Sequence, residues 1–232
     1  MANRWQDCTR AWTWRSTTDR GDSAVLSRLG NTSWFNPALR TLVFGLALTP
    51  FLLLVQGVVT DALGPDPAEA LMHRTGEWAM RLLVLVLAAR PLAQWGWPRL
   101  FLYRRMLGLF VFFYVSLHLL VFVQVYVGWR GDILLEELIE RPYVMVGFAA
   151  WLLLLPLAVT STHAMRRRLG RRWKQLHRAI YAIALLATLH LLWLSRSDIG
   201  DAVVYGLLFA LLLGWRMRHH WRRRRALRPA AG

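Results

Sequence analysis

The sequence predicts an all-α membrane protein, a bundle of six transmembrane helices with both termini in the cytoplasm. Three observations lead to that fold. Apolar residues make up 56% of the 232-residue chain and thirteen of its residues are tryptophan, a composition that points away from a soluble domain. Runs of roughly 17 to 25 mainly apolar residues, the length that crosses the hydrocarbon core, recur along the chain. Basic and acidic residues alternate between successive connections, as the positive-inside rule requires of a chain threaded back and forth.

The runs fall at about 40–60, 74–90, 105–127, 143–162, 177–195 and 202–217, with boundaries good to a few residues. Arginines gather in the N-terminal segment, in the 90–105 connection (Arg90, Arg99, Arg104, Arg105), from Arg166 through Arg178, and in the tail from Arg216. The intervening connections carry Asp61, Asp66 and Glu69, then Asp132, Glu136, Glu137 and Glu140, then Asp198 and Asp201. Trp95, Trp97, Trp129, Trp173, Trp193 and Trp215 fall near the expected water interfaces, where an amphipathic indole is favoured, whereas Trp151 lies near mid-membrane. The formal net charge of +16 is therefore read as topology and contact with anionic membrane lipid, not as a nucleic-acid footprint.

Three regions follow: 1–36 as a disordered N-terminal extension, 37–217 as the membrane domain, and 218–232 as a basic cytoplasmic tail. Residues 1–34 are polar and aperiodic and lack the apolar core of a cleavable signal peptide. Their composition differs so far from the rest that an accidental upstream translation is one reading of them. Cys8 is the single cysteine, which excludes a disulfide framework, an iron–sulfur site and a cysteine-type zinc site. No Gly-rich phosphate loop or nucleotide fingerprint occurs, so no motif for binding NADPH is present.

Taken in order, span 1 carries Pro50 and span 4 carries Pro156. Each is read either as a kink that opens space for a cofactor or as ordinary membrane-helix proline. The loop 61–73, with two prolines and a glycine, is expected to turn tightly before span 2. In span 2, Glu77 and Arg81 form an acid-to-base i, i+4 pair. An arginine inside an apolar run needs a partner; for Arg81 it is either Glu77 or a haem propionate. His73 precedes this span at its outer end. The 128–142 loop contains a short amphipathic stretch, which either lies on the outer surface or serves as a spacer.

His118, His177 and His190 lie in segments apolar enough to cross a bilayer, where an imidazole is costly unless partnered. From Arg105, His118 lies roughly 20 Å along span 3 and about 13 Å short of Val127. His190 lies about 19.5 Å beyond His177, which marks the cytoplasmic edge of span 5. His118 and His190 thus share a depth in the outer half of the membrane, as two axial ligands of one haem must. His177 is thirteen residues before His190, about 140° away in azimuth on an ideal helix. The two share a face only if the helix is locally over- or underwound. Position 104, fourteen before His118, is arginine, so span 3 supplies no second histidine. His177 has three readings: ligand to an inner haem with an unusual partner, contact to a flavin, or cap of the basic membrane edge. His163, His219 and His220 are read as solvated.

The segments LGPDPAEALMHRTGEW (63–78), RRMLGLFVFFYVSLHLL (104–120), RPYVMVGF (141–148), LAVTSTHAMRRRLGRRWKQLHRAIY (157–181) and LHLLWL (189–194) together resemble the MsrQ family, formerly YedZ. These are the haem-binding membrane subunits of the bacterial methionine sulfoxide reductase system. The resemblance covers about residues 38–217. It implies a ferric-reductase-like six-helix domain in the bacterial inner membrane, with haem b and FMN as cofactors and a periplasmic molybdopterin enzyme, MsrP, as partner. Electrons would come from a quinol or a cytoplasmic flavin reductase. The family's haem ligands carry over onto His118, His177 and His190, and His73 matches a motif position. His163 stands where an amide or similar residue is expected and is not counted as a ligand. The resemblance does not locate FMN; Arg99–Arg105 and Arg166–Arg172 would attract its phosphate by charge alone.

The function expected is electron transfer, with haem carrying the redox chemistry, the protein supplying ligands and orientation, and no substrate-transforming site in this chain. A proton or metal transporter with histidines lining its path is the rival, and the scarcity of carboxylates within the spans argues against it. A bare assembly anchor leaves the depth-matched histidines unexplained.

Overall fold

A computed structural model of the chain describes residues 35–194 and 199–226. Every regular element among them is helical: α1 (Phe35–Val59), α2 (Pro67–Gln94), α3 (Pro98–Phe122), α4 (Gly131–Glu140), α5 (Pro142–Val159), α6 (His163–Leu169), α7 (Arg171–Leu176), α8 (Ile180–Leu194) and α9 (Gly200–Ala226). A π-helical turn, Val123–Val127, extends α3, and a 3₁₀ turn, His177–Ala179, joins α7 to α8. The expected disordered extension falls, up to residue 34, outside the described residues. The expected tail from 218 continues α9 as helix through Ala226. The packing below belongs to the compact unit Val43–Gly232.

Among the described residues, five stretches are long and apolar enough to cross a membrane: Pro37–Val59, Phe101–Val127, Pro142–Val159, Arg171–Leu194 and Gly200–His219. They coincide with the first, third, fourth, fifth and sixth expected spans. By composition the count is five, not six, because α2 carries Glu69, Arg74, Glu77, Arg81 and Arg90. Its 28 residues nonetheless reach about 42 Å. α2 is the most enclosed of the described helices, burying Thr75, Leu83, Leu87 and Ala89 among others. The charges of α2 all lie outside its buried face, where Arg81 pairs with Glu77 at 2.7 Å.

α2 also begins earlier than expected, which shortens the 61–73 loop. Asp66 caps it by accepting the Glu69 N–H at 2.9 Å, Pro67 opens the first turn, and Glu69 complements the helix dipole. The turn before it uses left-handed backbone at Asp61 (φ 56°) and Gly64 (φ 97°). α2 packs along α3, α5 packs along α8, α3 meets α5, and α9 lies against both α8 and α2. α4 buries no residue and leaves Leu135 and Ile139 exposed. The Arg130 guanidinium beside Asp132 holds that carboxyl below the usual carboxylate range.

At two of the three prolines inside the described helices, a side chain from another helix bonds to the backbone nearby. Beside Pro50 on α1, the Tyr114 hydroxyl of α3 inserts between two turns, donating to Ala47 O at 2.9 Å and accepting the Phe51 N–H at 3.1 Å. Tyr114 is fully buried, so its phenol fills the space beside Pro50. On α2, Pro91 has no N–H to offer Leu87 O. Arg216 of α9 supplies the bond instead, Nη2 donating to Leu87 O at 2.7 Å.

A candidate metal centre between four helices

His118 projects from α3 onto the first turns of α2, and His190 projects from α8 onto the start of α5. Each contact is close because the facing residue is glycine. A Cβ at Gly76 would lie 3.3 Å from His118 Cε1, and one at Gly147 would lie 2.8 Å from His190 Nδ1. Each ring is then gripped at one nitrogen. His118 Nδ1 lies 3.1 Å from Met72 O and 3.3 Å from Thr75 Oγ1, while His190 Nδ1 lies 2.7 Å from Tyr143 O.

A carbonyl oxygen only accepts, so both Nδ1 atoms must carry the proton. Thr75 spends its own hydroxyl hydrogen on Leu71 O at 2.7 Å, which leaves its oxygen free to accept from His118. Both Nε2 atoms are consequently bare lone pairs, the form in which imidazole binds a metal, and the backbone contacts are those that orient such a ligand. The two ring centres are 6.3 Å apart with planes at 90°. A metal–imidazole bond is about 2 Å long, and a ring centre lies roughly 1.1 Å behind its nitrogen, so two opposed imidazoles on one metal have centres about 6.3 Å apart. Two imidazole donors at this spacing suit one metal ion held between the rings.

His177 does not join this pair. It sits in the 3₁₀ turn, stacked on Trp173 with ring centres 3.9 Å apart, and its Nδ1 is 3.1 Å from Trp173 O. Tightening three residues to 3.0 per turn reduces its azimuthal separation from His190 from about 140° to about 80°. The local overwinding is present, yet the two rings still do not share a face. Among the described residues, no group of three or more histidine, cysteine and carboxylate side chains could hold a metal ion.

Arg81 pairs with Glu77 at 2.7 Å and lies over the Trp78 ring at 4.9 Å, so a propionate would be an additional partner rather than its first. His73 is exposed and 3.6 Å from Glu69 Oε1; it adjoins Met72, whose carbonyl holds His118, without meeting the pair itself. His163 is exposed. His219 is not simply solvated: it stacks on Trp215 with ring centres 5.4 Å apart.

Thr75, Gly76, Tyr143 and Gly147, which seat the two rings, lie in the segments 63–78 and 141–148 quoted above, yet the sequence assigns them no role. A signal was present: two helical glycines each facing a histidine's helix. Helix pairing, which the sequence does not state, was needed to interpret it. Trp151 also gains a partner at mid-membrane, donating to Ser116 Oγ at 3.1 Å.

Comparison with known proteins is consistent with this geometry. Residues 75–188 match the family model described as "Ferric reductase like transmembrane component". A protein of Xanthomonas euvesicatoria pv. vesicatoria is 45% identical over 210 residues, covering 88% of this chain and 95% of the relative. One from Xanthomonas campestris pv. campestris is 47% identical over 203 residues, 84% and 91% of the two chains. One from Polaromonas naphthalenivorans is 41% identical over 201 residues, 84% and 92%. All three are named protein-methionine-sulfoxide reductase heme-binding subunit MsrQ. No solved structure gives a significant match. With identity at this level over nearly the whole of each relative, the chain belongs to the MsrQ family of multi-pass membrane subunits.

Proposed function

We propose that the chain is an inner-membrane electron-transfer subunit that holds one b-type haem between His118 and His190 and passes electrons to a periplasmic molybdopterin enzyme of the MsrP kind. The observation that carries the reading is the pair of imidazoles with bare Nε2 atoms and ring centres 6.3 Å apart. When bound, haem supplies the one-electron couple. The chain's residues do the rest: Met72 O, Thr75 and Tyr143 O hold the Nδ1 protons and so fix the ring orientation and ligand basicity. Gly76 and Gly147 let the helices close on the rings.

The pair lies toward the acid-bearing ends of the helices, beside α4 and the start of α2. With arginine-rich connections facing the cytoplasm and α2 crossing as a sixth span, that end faces the periplasm and both termini face inward. Electrons enter at the basic end, from a quinol or a flavin reductase with FMN as the second cofactor. They leave at the acidic end toward the enzyme that repairs oxidised methionine.

The test is an optical spectrum of the purified full-length chain, oxidised and then dithionite-reduced. A b-type Soret and α band is expected in the wild type and its loss in both His118→Ala and His190→Ala. Insertion into the membrane should survive, since it depends on the apolar spans. Full low-spin haem in both variants would refute the ligand assignment.

A further inference from the structure

The connection between α3 and α5 holds a helix, α4, that buries none of its residues. Gly128 and Trp129 both adopt left-handed backbone, each at φ 63°, and turn the chain out of the π-helical end of α3. Three residues then separate Val127 from the start of α4, and Arg141 alone separates its end from Pro142. Links this short keep both ends of α4 within about 10 Å of the ends of two spans. The helix therefore sits at the level of the bilayer edge, packed on both the π-helical turn and α5.

At about 100° per residue, Leu134, Leu138, Leu135 and Ile139 fall within one arc of about 140°, and Asp132, Glu136, Glu140 and Glu137 within the arc that follows it. The bundle covers the junction of the two arcs: Ile133, Leu134, Glu137 and Leu138 are half-buried, and Glu137 pairs with Arg141 at 3.1 Å. The rest of each arc is left outside. Leu135 and Ile139 are 61% and 80% exposed on one side, and Asp132, Glu136 and Glu140 are exposed on the other. The spans that α4 joins also expose apolar residues at these ends, Val125, Tyr126 and Met145, and Trp129 beside them is exposed as well. Two aliphatic side chains fall far short of the roughly 1,200 Å² that a specific protein–protein interface buries. One apolar and one charged side, on a helix held at the bilayer edge, match a helix lying in the membrane interface.

We propose that α4 is an interfacial helix whose Leu135–Ile139 ridge lies in the bilayer surface, among headgroups and upper acyl chains, while Asp132, Glu136 and Glu140 face water. Arg141 ends α4 and starts α5, and Tyr143, whose carbonyl holds His190, lies in the first turn of α5. The anchored helix thus fixes the level at which that turn enters the membrane. The inference goes beyond the electron-transfer reading and depends neither on haem nor on which end of the bundle faces the periplasm.

The experiment uses the full-length chain with Cys8→Ser, one chain per phosphatidylcholine nanodisc, and a bimane label on a single cysteine introduced by Leu135→Cys, Ile139→Cys or Glu136→Cys. All three positions are exposed, and thermal melting confirms that each variant is folded. Fluorescence is quenched either by iodide from water or by phosphatidylcholine that carries a nitroxide high on its acyl chain. Iodide is expected to quench the label at 136 at least about threefold more strongly than at 135 or 139, and the lipid nitroxide to reverse that order. The same ratio of iodide to lipid quenching at all three positions overturns the proposal, because α4 is then a spacer in water. Protection of 135 and 139 from both quenchers overturns it as well, because protein rather than lipid then covers the ridge.

Discussion

Substituting Gly147 by alanine tests the geometry of the metal centre without touching a ligand. A Cβ there would stand 2.8 Å from His190 Nδ1 and 2.9 Å from Cε1, against a lower limit near 3.4 Å for an ordinary contact. The ring would have to retreat by about 0.6 Å, and it is not a loose chain end. It is held at 2.7 Å by Tyr143 O, and the same movement would stretch that bond past the usual hydrogen-bonding range. Overpacking of this kind costs about 1–3 kcal/mol, and disturbing the group that orients a metal-bound histidine costs roughly 10- to 100-fold in affinity. Gly147→Ala is therefore expected to lose most of its haem on purification while remaining helical. Gly76→Ala is the internal control: its Cβ would meet His118 at 3.3 Å, a strain of a few tenths of an ångström, and haem should be largely retained. The assay is the haem-to-protein ratio, from pyridine haemochrome and amino-acid analysis, with circular dichroism for folding. Wild-type haem in Gly147→Ala, or greater loss in Gly76→Ala, would refute the seating described for the two rings.

Tyr114→Phe should lower the melting temperature in detergent by removing the hydroxyl that joins Ala47 O to the Phe51 N–H, a loss of about 1–3 kcal/mol; an unchanged melting curve would mean that α1 closes its own ladder beside Pro50. In a background where Cys8 is replaced by serine, a cysteine at Glu136 should react with an impermeant thiol reagent on intact spheroplasts and one at Arg222 should not. Labelling at 222 alone would invert the topology and move the histidine pair to the inner half of the membrane. His177→Ala should leave the haem reducible by dithionite but slow its reduction by a flavin or quinol donor, because His177 lies at the basic edge beside Arg104. Equal wild-type rates from both donors would make it a structural residue stacked on Trp173.

The sequence by itself determined what depends on local composition along one dimension. Helix positions followed from apolar runs, because a lipid-crossing segment must satisfy its backbone internally and present apolar side chains outward. The matched depth of His118 and His190 followed from counting residues at a constant rise, and the opposed character of the two ends followed from the alternation of arginines with carboxylates. The thirteen-residue spacing of His177 and His190 left their relative face open, and the 3₁₀ turn at His177 did not bring the two rings onto one face. The tertiary structure decided what depends on rotation of helices and on partners distant in sequence. Met72 lies 46 residues from His118, Tyr143 lies 47 from His190, and Leu87 lies 129 from Arg216. Which ring nitrogen is left bare and which proline-freed carbonyl is capped are settled only by which faces of the helices meet. Hydropathy carries no record of that azimuth, so α2, the helix with the weakest membrane signature, is also the one whose enclosed face seats His118 and receives Arg216.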